Sequence, residues 1–202
     1  NTAKLWDLSG TVLKTITRHT KEISSVAFSP DGKQVLTGSK NGTARLSDLS
    51  GRALSTFSGH SKPVNSVSFS PDGKQVLTGS SDKTAKLWDL SGTVLMTITG
   101  HTSIVSSVAF SPDGKQVLTG SVDGRLSDLS GRTLSTFSGH SSPVNSVAFS
   151  PDEKQVLIGS GGNTAKLWNL SERELMTFTG HTGGVISVAF SPDGKQILRG
   201  CK

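Results

Sequence analysis

The 202-residue chain carries a single cysteine, which excludes a disulfide framework, and its 5% aromatic content, lack of tyrosine and 23 glycines fit thin sheets with many turns. No apolar run approaches the ~18 residues that cross a bilayer, and no signal peptide opens the chain, so a soluble, cytoplasmic protein is expected. The net charge of +6 is dealt out by position: Lys33, Lys74, Lys115, Lys154 and Lys195 recur beside Asp31, Asp72, Asp113, Asp152 and Asp193.

In chain order, residues 2–8 and 12–17 read as two strands of an incomplete repeat. His19, His60, His101, His140 and His181 then follow at spacings of 41, 41, 39 and 41, a period that marks a repeat architecture. The second repeat shows the unit most clearly. Residues 64–70 alternate Val67 and Phe69 with Ser66 and Ser68, and the period of two predicts a strand. Ser70, Pro71, Asp72 and Gly73 predict a tight turn. Strands are predicted over 75–80, 84–90 and 94–99, with reversals at 81–83 and 91–92. Each repeat is therefore a four-stranded antiparallel meander. The third and fourth strands alternate between Trp-bearing copies near 4, 86 and 166 and Ser-bearing copies near 45 and 125, which points to a two-repeat unit of duplication. At the end, residues 185–191 and 196–200 supply only the first two strands.

A GH dipeptide before the first strand, SPDG at the first hairpin, GS.D at the second and KLWD in the third strand resemble the WD40 repeat. The resemblance covers the whole chain. It implies an all-β fold, a β-propeller of four-stranded WD40 blades forming one domain over residues 1–202. The blades are expected at about 19–58, 60–99, 101–138 and 140–179, with a fifth, composite blade made of 181–202 plus 1–17. Joining Lys202 to Asn1 restores a repeat one residue short. The same half-blades could instead pair between two copies of the chain. An opening on Asn1, inside a repeat and without methionine, is expected of a fragment, a processed product or a trimmed chain.

The resemblance also implies a hydrogen-bonded chain of His60, Thr78, Asp82 and Trp88. A Thr, His and Asp together suggest a catalytic relay, but full or partial versions of the set recur from repeat to repeat with Trp at its end and no GxSxG is present, so a structural role and no enzymatic activity are expected. The other repeats depart from it. Asn41 and Ser47 replace Asp and Trp in the first, and Ser127 replaces Trp in the third, which keeps His101, Thr119 and Asp123 but lacks two residues. Ile158 and Gly162 stand for Thr and Asp in the fourth, and Arg199 and Asn1 do so in the composite blade. Lower stability than in a fully networked propeller is expected, because some buried histidines lose partners.

No CxxC, HxxxH or HExxH spacing implies a metal, and residues 159–162 form no phosphate loop, so no cofactor is expected. Cys201 replaces Ser39, Ser80, Ser121 and Ser160 and reads as a Ser-like strand residue. The cations Lys4, Arg45, Lys86, Arg125 and Lys166 read as a solvated strand face, which argues against a nucleic-acid partner. What varies between repeats is the segment after each histidine. Lys21, Glu22, Lys62, Pro63, Ser103, Ile104, Ser142 and Pro143 are the candidate contacts for a protein or peptide partner, with Ile104 the expected anchor. Two other functions fit less of the sequence: a self-assembling structural array, and a multivalent carbohydrate-binding ring, for which exposed aromatics are scarce.

Overall fold

A computed structural model describes residues 1–17 and 19–202. The described residues form 20 strands and no helix. Strands β1 (Ala3–Trp6) and β2 (Val12–Ile16) make a two-stranded sheet. Four complete blades follow. The first is β3 (Ile23–Phe28), β4 (Gln34–Ser39), β5 (Thr43–Asp48) and β6 (Ala53–Ser58). The second is β7 (Val64–Phe69), β8 (Gln75–Ser80), β9 (Ala85–Asp89) and β10 (Val94–Ile98). The third is β11 (Ser107–Phe110), β12 (Gln116–Gly120), β13 (Gly124–Asp128) and β14 (Thr133–Phe137). The fourth is β15 (Val144–Phe149), β16 (Gln155–Ser160), β17 (Ala165–Asn169) and β18 (Glu174–Phe178). A last two-stranded sheet pairs β19 (Val185–Phe190) with β20 (Ile197–Cys201).

Every pairing is antiparallel, because each strand is followed by a turn too short for a crossover. The first hairpin shows the turn chemistry. Ser70 Oγ donates to Asp72 Oδ1 at 2.6 Å and accepts from the Gln75 amide at 2.9 Å, while the Gly73 amide closes onto the Ser70 carbonyl at 2.9 Å. Gly73 has a positive φ, and Glu153 holds the same conformation in the fourth blade without glycine's freedom.

Blades are joined by a recurring seam. Valines of one blade's first strand press on a glycine of the preceding blade: a Cβ added to Gly79 would lie 2.7 Å from Val108 Cγ1 and 2.8 Å from Val105 Cγ1. Gly38, Gly120 and Gly159 meet Val64 and Val67, Val144 and Val147, and Val185 and Val188 in the same way. A bulge near the start of the first strand adds a polar staple. The side chains of Asn65 and Asn145 donate to the carbonyls of Val105 and Val185 at 2.9 and 2.8 Å, and Ser24 and Ser106 do the same to Val64 and Val144. The Val67 amide also donates to Ser25 Oγ at 3.1 Å, a bond repeated at Val108, Val147 and Val188.

The Trp/Ser alternation has a packing cause. Phe57 of the first blade meets Trp88 of the second edge-on at 5.8 Å, and Phe137 of the third meets Trp168 of the fourth at 5.9 Å. Phenylalanine ends the blade before each of these tryptophans; Ile98 ends the blade before Ser127.

Among the described residues, β19 and β20 form the first two strands of the expected composite blade and β1 and β2 its last two, and no pairing between β20 and β1 is seen. Val26 is 59% exposed where its counterpart Val67 is 6% exposed. Two local features distinguish this junction from the internal seams. Ile186 occupies the stapling position and cannot donate, and the Arg199 guanidinium sits 5.9 Å over Phe178, bonded to the Phe178 and Thr179 carbonyls, on the surface a tryptophan would cover.

The seam predicts a cost for one methyl group. Gly79→Ala is expected to destabilise the chain by about 1–3 kcal/mol, because the new Cβ must displace two packed valines. Urea unfolding followed by circular dichroism measures it.

Candidate functional site

The turn between β8 and β9 brings Asp82 beneath His60, and the antiparallel register sets Thr78 and Trp88 within reach of the same ring. His60 Nδ1 lies 2.8 Å from Asp82 Oδ2, His60 Nε2 lies 2.7 Å from Thr78 Oγ1, and Trp88 Nε1 donates to Thr78 Oγ1 at 2.9 Å. One proton arrangement satisfies all of these atoms: Trp88 donates to Thr78, Thr78 to His60 Nε2, and His60 Nδ1–H to Asp82. Burial opposes ionisation of Asp82, yet hydrogen bonds from Thr84 and His60 outweigh it and bring its pKa to about 2. Burial lowers the His60 pKa, with Asp82 pulling the other way. Thr78 is fully buried, so its hydroxyl is sealed from any substrate.

The other blades hold pieces of this network. His19 Nε2 meets Thr37 Oγ1 at 2.8 Å, but its Nδ1 has no partner. His101 Nε2 meets Thr119 Oγ1 at 3.0 Å. Asp123, retained in sequence, makes no hydrogen bond to His101, because the two missing residues come out of the β12–β13 hairpin and draw the turn away; Ser121 Oγ is also left without a partner. In the fourth blade both ring nitrogens of His140, and Trp168 Nε1, are unpartnered where Ile158 replaces threonine. The Ile158 side chain fills the space at Gly124, which stands where other blades carry Ala44, Ala85 and Ala165. The departures in the third and fourth blades are one packing solution.

The candidate partner contacts gather at one end of the blades, where the segment after each histidine meets the second hairpin. In three of the segments the backbone carbonyls are occupied. The Ser81 amide donates to the Pro63 carbonyl at 2.9 Å, Gly161 to Pro143 at 3.0 Å, and Lys40 to Glu22 at 2.9 Å. Ser80 Oγ bonds the Lys62 carbonyl at 3.2 Å, and Ser160 Oγ the Ser142 carbonyl at 2.7 Å. Side chains are left outward: Lys21, Glu22, Lys62, Ile104 and Pro143 are exposed, while Pro63, Ser103 and Ser142 are half-buried. Glu22 is ion-paired with Lys40, and a cleft of about 340 Å³ lies among Asn1, Thr20, Lys21, Glu22 and Lys40. Sequence reading missed the Asn65 and Asn145 staples; the signal was an asparagine breaking a strand's alternation in two repeats. Among the described residues, no three His, Cys, Asp or Glu side chains converge as metal ligands, and no helix is long and apolar enough to cross a membrane.

The family model for the WD domain, G-beta repeat, matches residues 10–48, 51–89, 92–127, 131–169 and 172–202. The chain belongs to the WD40-repeat family. Each of the first four matches spans the last strand of one sheet and the first three of the next, and the fifth spans β18, β19 and β20, so the sequence repeat is offset by one strand from the blade. The family's repeats serve in general as protein-interaction scaffolds. No curated protein matches the chain at a significant level.

Repairing the fourth blade should stabilise it. The double variant Ile158→Thr with Gly124→Ala is expected to gain about 1–3 kcal/mol in urea unfolding, because it supplies His140 and Trp168 with a hydroxyl and refills the space beside it.

A second test is pH. Burial first, then the nearby Arg125 and Lys166, hold His101 and His140 at about 4, against 6.5 for a free imidazole. The unfolded chain therefore binds protons that the folded chain refuses. Stability is expected to fall as pH drops from 6.5 towards 4, with no further loss from these groups below that. Urea midpoints across that window measure the slope.

Proposed function

We propose that the chain is a non-enzymatic scaffold that binds a protein or peptide across the end of the blades bearing Lys21, Glu22, Lys62, Ile104 and Pro143. The observation that carries this reading is the division of labour in those loops. The carbonyls of Glu22, Pro63 and Pro143 are held by the second hairpins and the Val105 amide beside Ile104 by the preceding blade, while the side chains differ from blade to blade and face outward. Rigid display lowers the entropy lost on binding. Ile104 is 45% exposed between half-buried Ser103 and buried Val105, and it suits an apolar anchor within a polar surround. A carbohydrate-binding ring has less support, since the rings of Trp88 and Trp168 are packed inside the blades.

The test is a random peptide library displayed on phage and selected on the immobilised chain. Selected peptides are expected to lose at least about tenfold in affinity with Ile104→Asp, a change of about 1.4 kcal/mol. Unchanged affinity towards a variant carrying alanine at all five positions would remove this face from consideration.

A further inference from the structure

The first blade holds an asparagine at the corner where the second holds Asp82. Asn41 Oδ1 accepts from the Thr43 amide and hydroxyl at 3.0 and 2.8 Å, as Asp82 Oδ1 does from those of Thr84 at 3.0 and 2.6 Å. The second terminal atom differs. Asp82 Oδ2 accepts from His60 Nδ1 at 2.8 Å and from the Ser61 amide at 3.1 Å, whereas Asn41 Nδ2 is a donor, bonded to Thr20 Oγ1 at 3.3 Å. His19 is buried, and among the described residues its Nδ1 has no partner. A single atom, nitrogen in place of oxygen, separates this corner from that of the second blade. Asn41 is also the only asparagine of the chain followed by glycine; Ser, Thr or Leu follows each of the others. Glycine has no Cβ to hinder its amide from approaching the preceding side chain.

We propose that Asn41 is a site of deamidation, and that the aspartate formed there supplies the acceptor that His19 lacks. The Gly42 amide nitrogen attacks Asn41 Cγ, so that an N–Cγ bond forms while the Cγ–Nδ2 bond breaks. The amide proton leaves with the Nδ2 group as ammonia. Water then opens the five-membered imide. Addition at Cγ returns a proton to the Gly42 nitrogen and leaves an aspartate on the original main chain. Addition at the Asn41 main-chain carbonyl instead gives isoaspartate, with the chain running through the former side chain. The net reaction consumes one water and releases one ammonia, with no change of oxidation state.

The fold controls both the rate and the product. The Gly42 amide donates to the Ser39 carbonyl at 3.1 Å and Thr43 holds the carboxamide, so attack waits for this turn to open. Gly42 is packed closely as well: a Cβ added to it would lie 3.3 Å from the carbonyl oxygens of His60 and Lys62. Isoaspartate lengthens the main chain by one carbon and breaks that fit. Aspartate keeps the main chain and acquires the hydrogen-bond pattern of Asp82, which holds the turn shut against further reaction. Conversion therefore stiffens the first blade as the chain ages and adds a negative charge at the end that bears Lys21. None of this rests on the peptide-binding reading.

The experiment incubates the folded chain, and a urea-unfolded sample beside it, in mildly alkaline buffer made with water enriched in heavy oxygen. Trypsin in ordinary water then releases residues 41–45, cutting after Lys40 and Arg45, and mass spectrometry reads the label. Heavy oxygen is expected at residue 41 in both samples, sooner in the unfolded one, with aspartate the main product of the folded chain. Asn41→Asp, which makes the product directly, is expected to raise the urea midpoint at neutral pH. That gain should vanish when His19→Gln is added. An unlabelled residue 41 in the folded chain after the unfolded sample has converted overturns the proposal, as does isoaspartate as the main product in the folded chain. So does an Asn41→Asp midpoint no higher than the parent's, or a gain that survives His19→Gln.

Discussion

The contact on which the rest depends is the approach of two valine side chains to one glycine backbone. A propeller blade has two faces and little thickness, so it is stable only when neighbours cover both. Glycine in the second strand lets the next blade's first strand come within van der Waals distance. At that distance the bulged Asn or Ser reaches the neighbouring carbonyl, and leucines such as Leu77 are enclosed on all sides. A larger residue at the seam would separate the sheets and cost the polar staple along with the apolar contact.

Polar groups inside the blades are less uniform than this packing. Among the described residues, only the second blade carries an unbroken line of donors and acceptors, from Trp88 to Asp82. The fourth keeps the ring and the indole and loses everything between them, and it is compensated in part by the fit of Ile158 to Gly124. Exchanging a buried threonine for the larger isoleucine fills the space that Gly124 leaves but strands the imidazole, which burial keeps from protonating. Stability and pH response in this protein are thus tied to which blade is considered.

The same economy shapes the surface. Loop carbonyls at the histidine end, those of Glu22, Pro63 and Pro143, are committed to holding hairpins, so variation there is carried by side chains. That arrangement permits the binding surface to change between repeats without disturbing the seam beneath.

Much of this was legible in the residues alone. The 41-residue spacing, the SPDG turns and the alternation in residues 64–70 determined four-stranded antiparallel blades, because turn chemistry and side-chain period are local properties. The partners of His60 were legible as well, since they recur at set offsets within one repeat. What sequence could not decide were contacts between repeats. Asp123 looks conserved in its repeat and is carried away from His101 by a shortened hairpin; Gly124 and Ile158 look like separate losses and are one contact. The role of Phe57 beside Trp88 likewise emerged only in three dimensions. Contacts between blades depend on how two separate sheets approach each other, which is not a property of any single repeat.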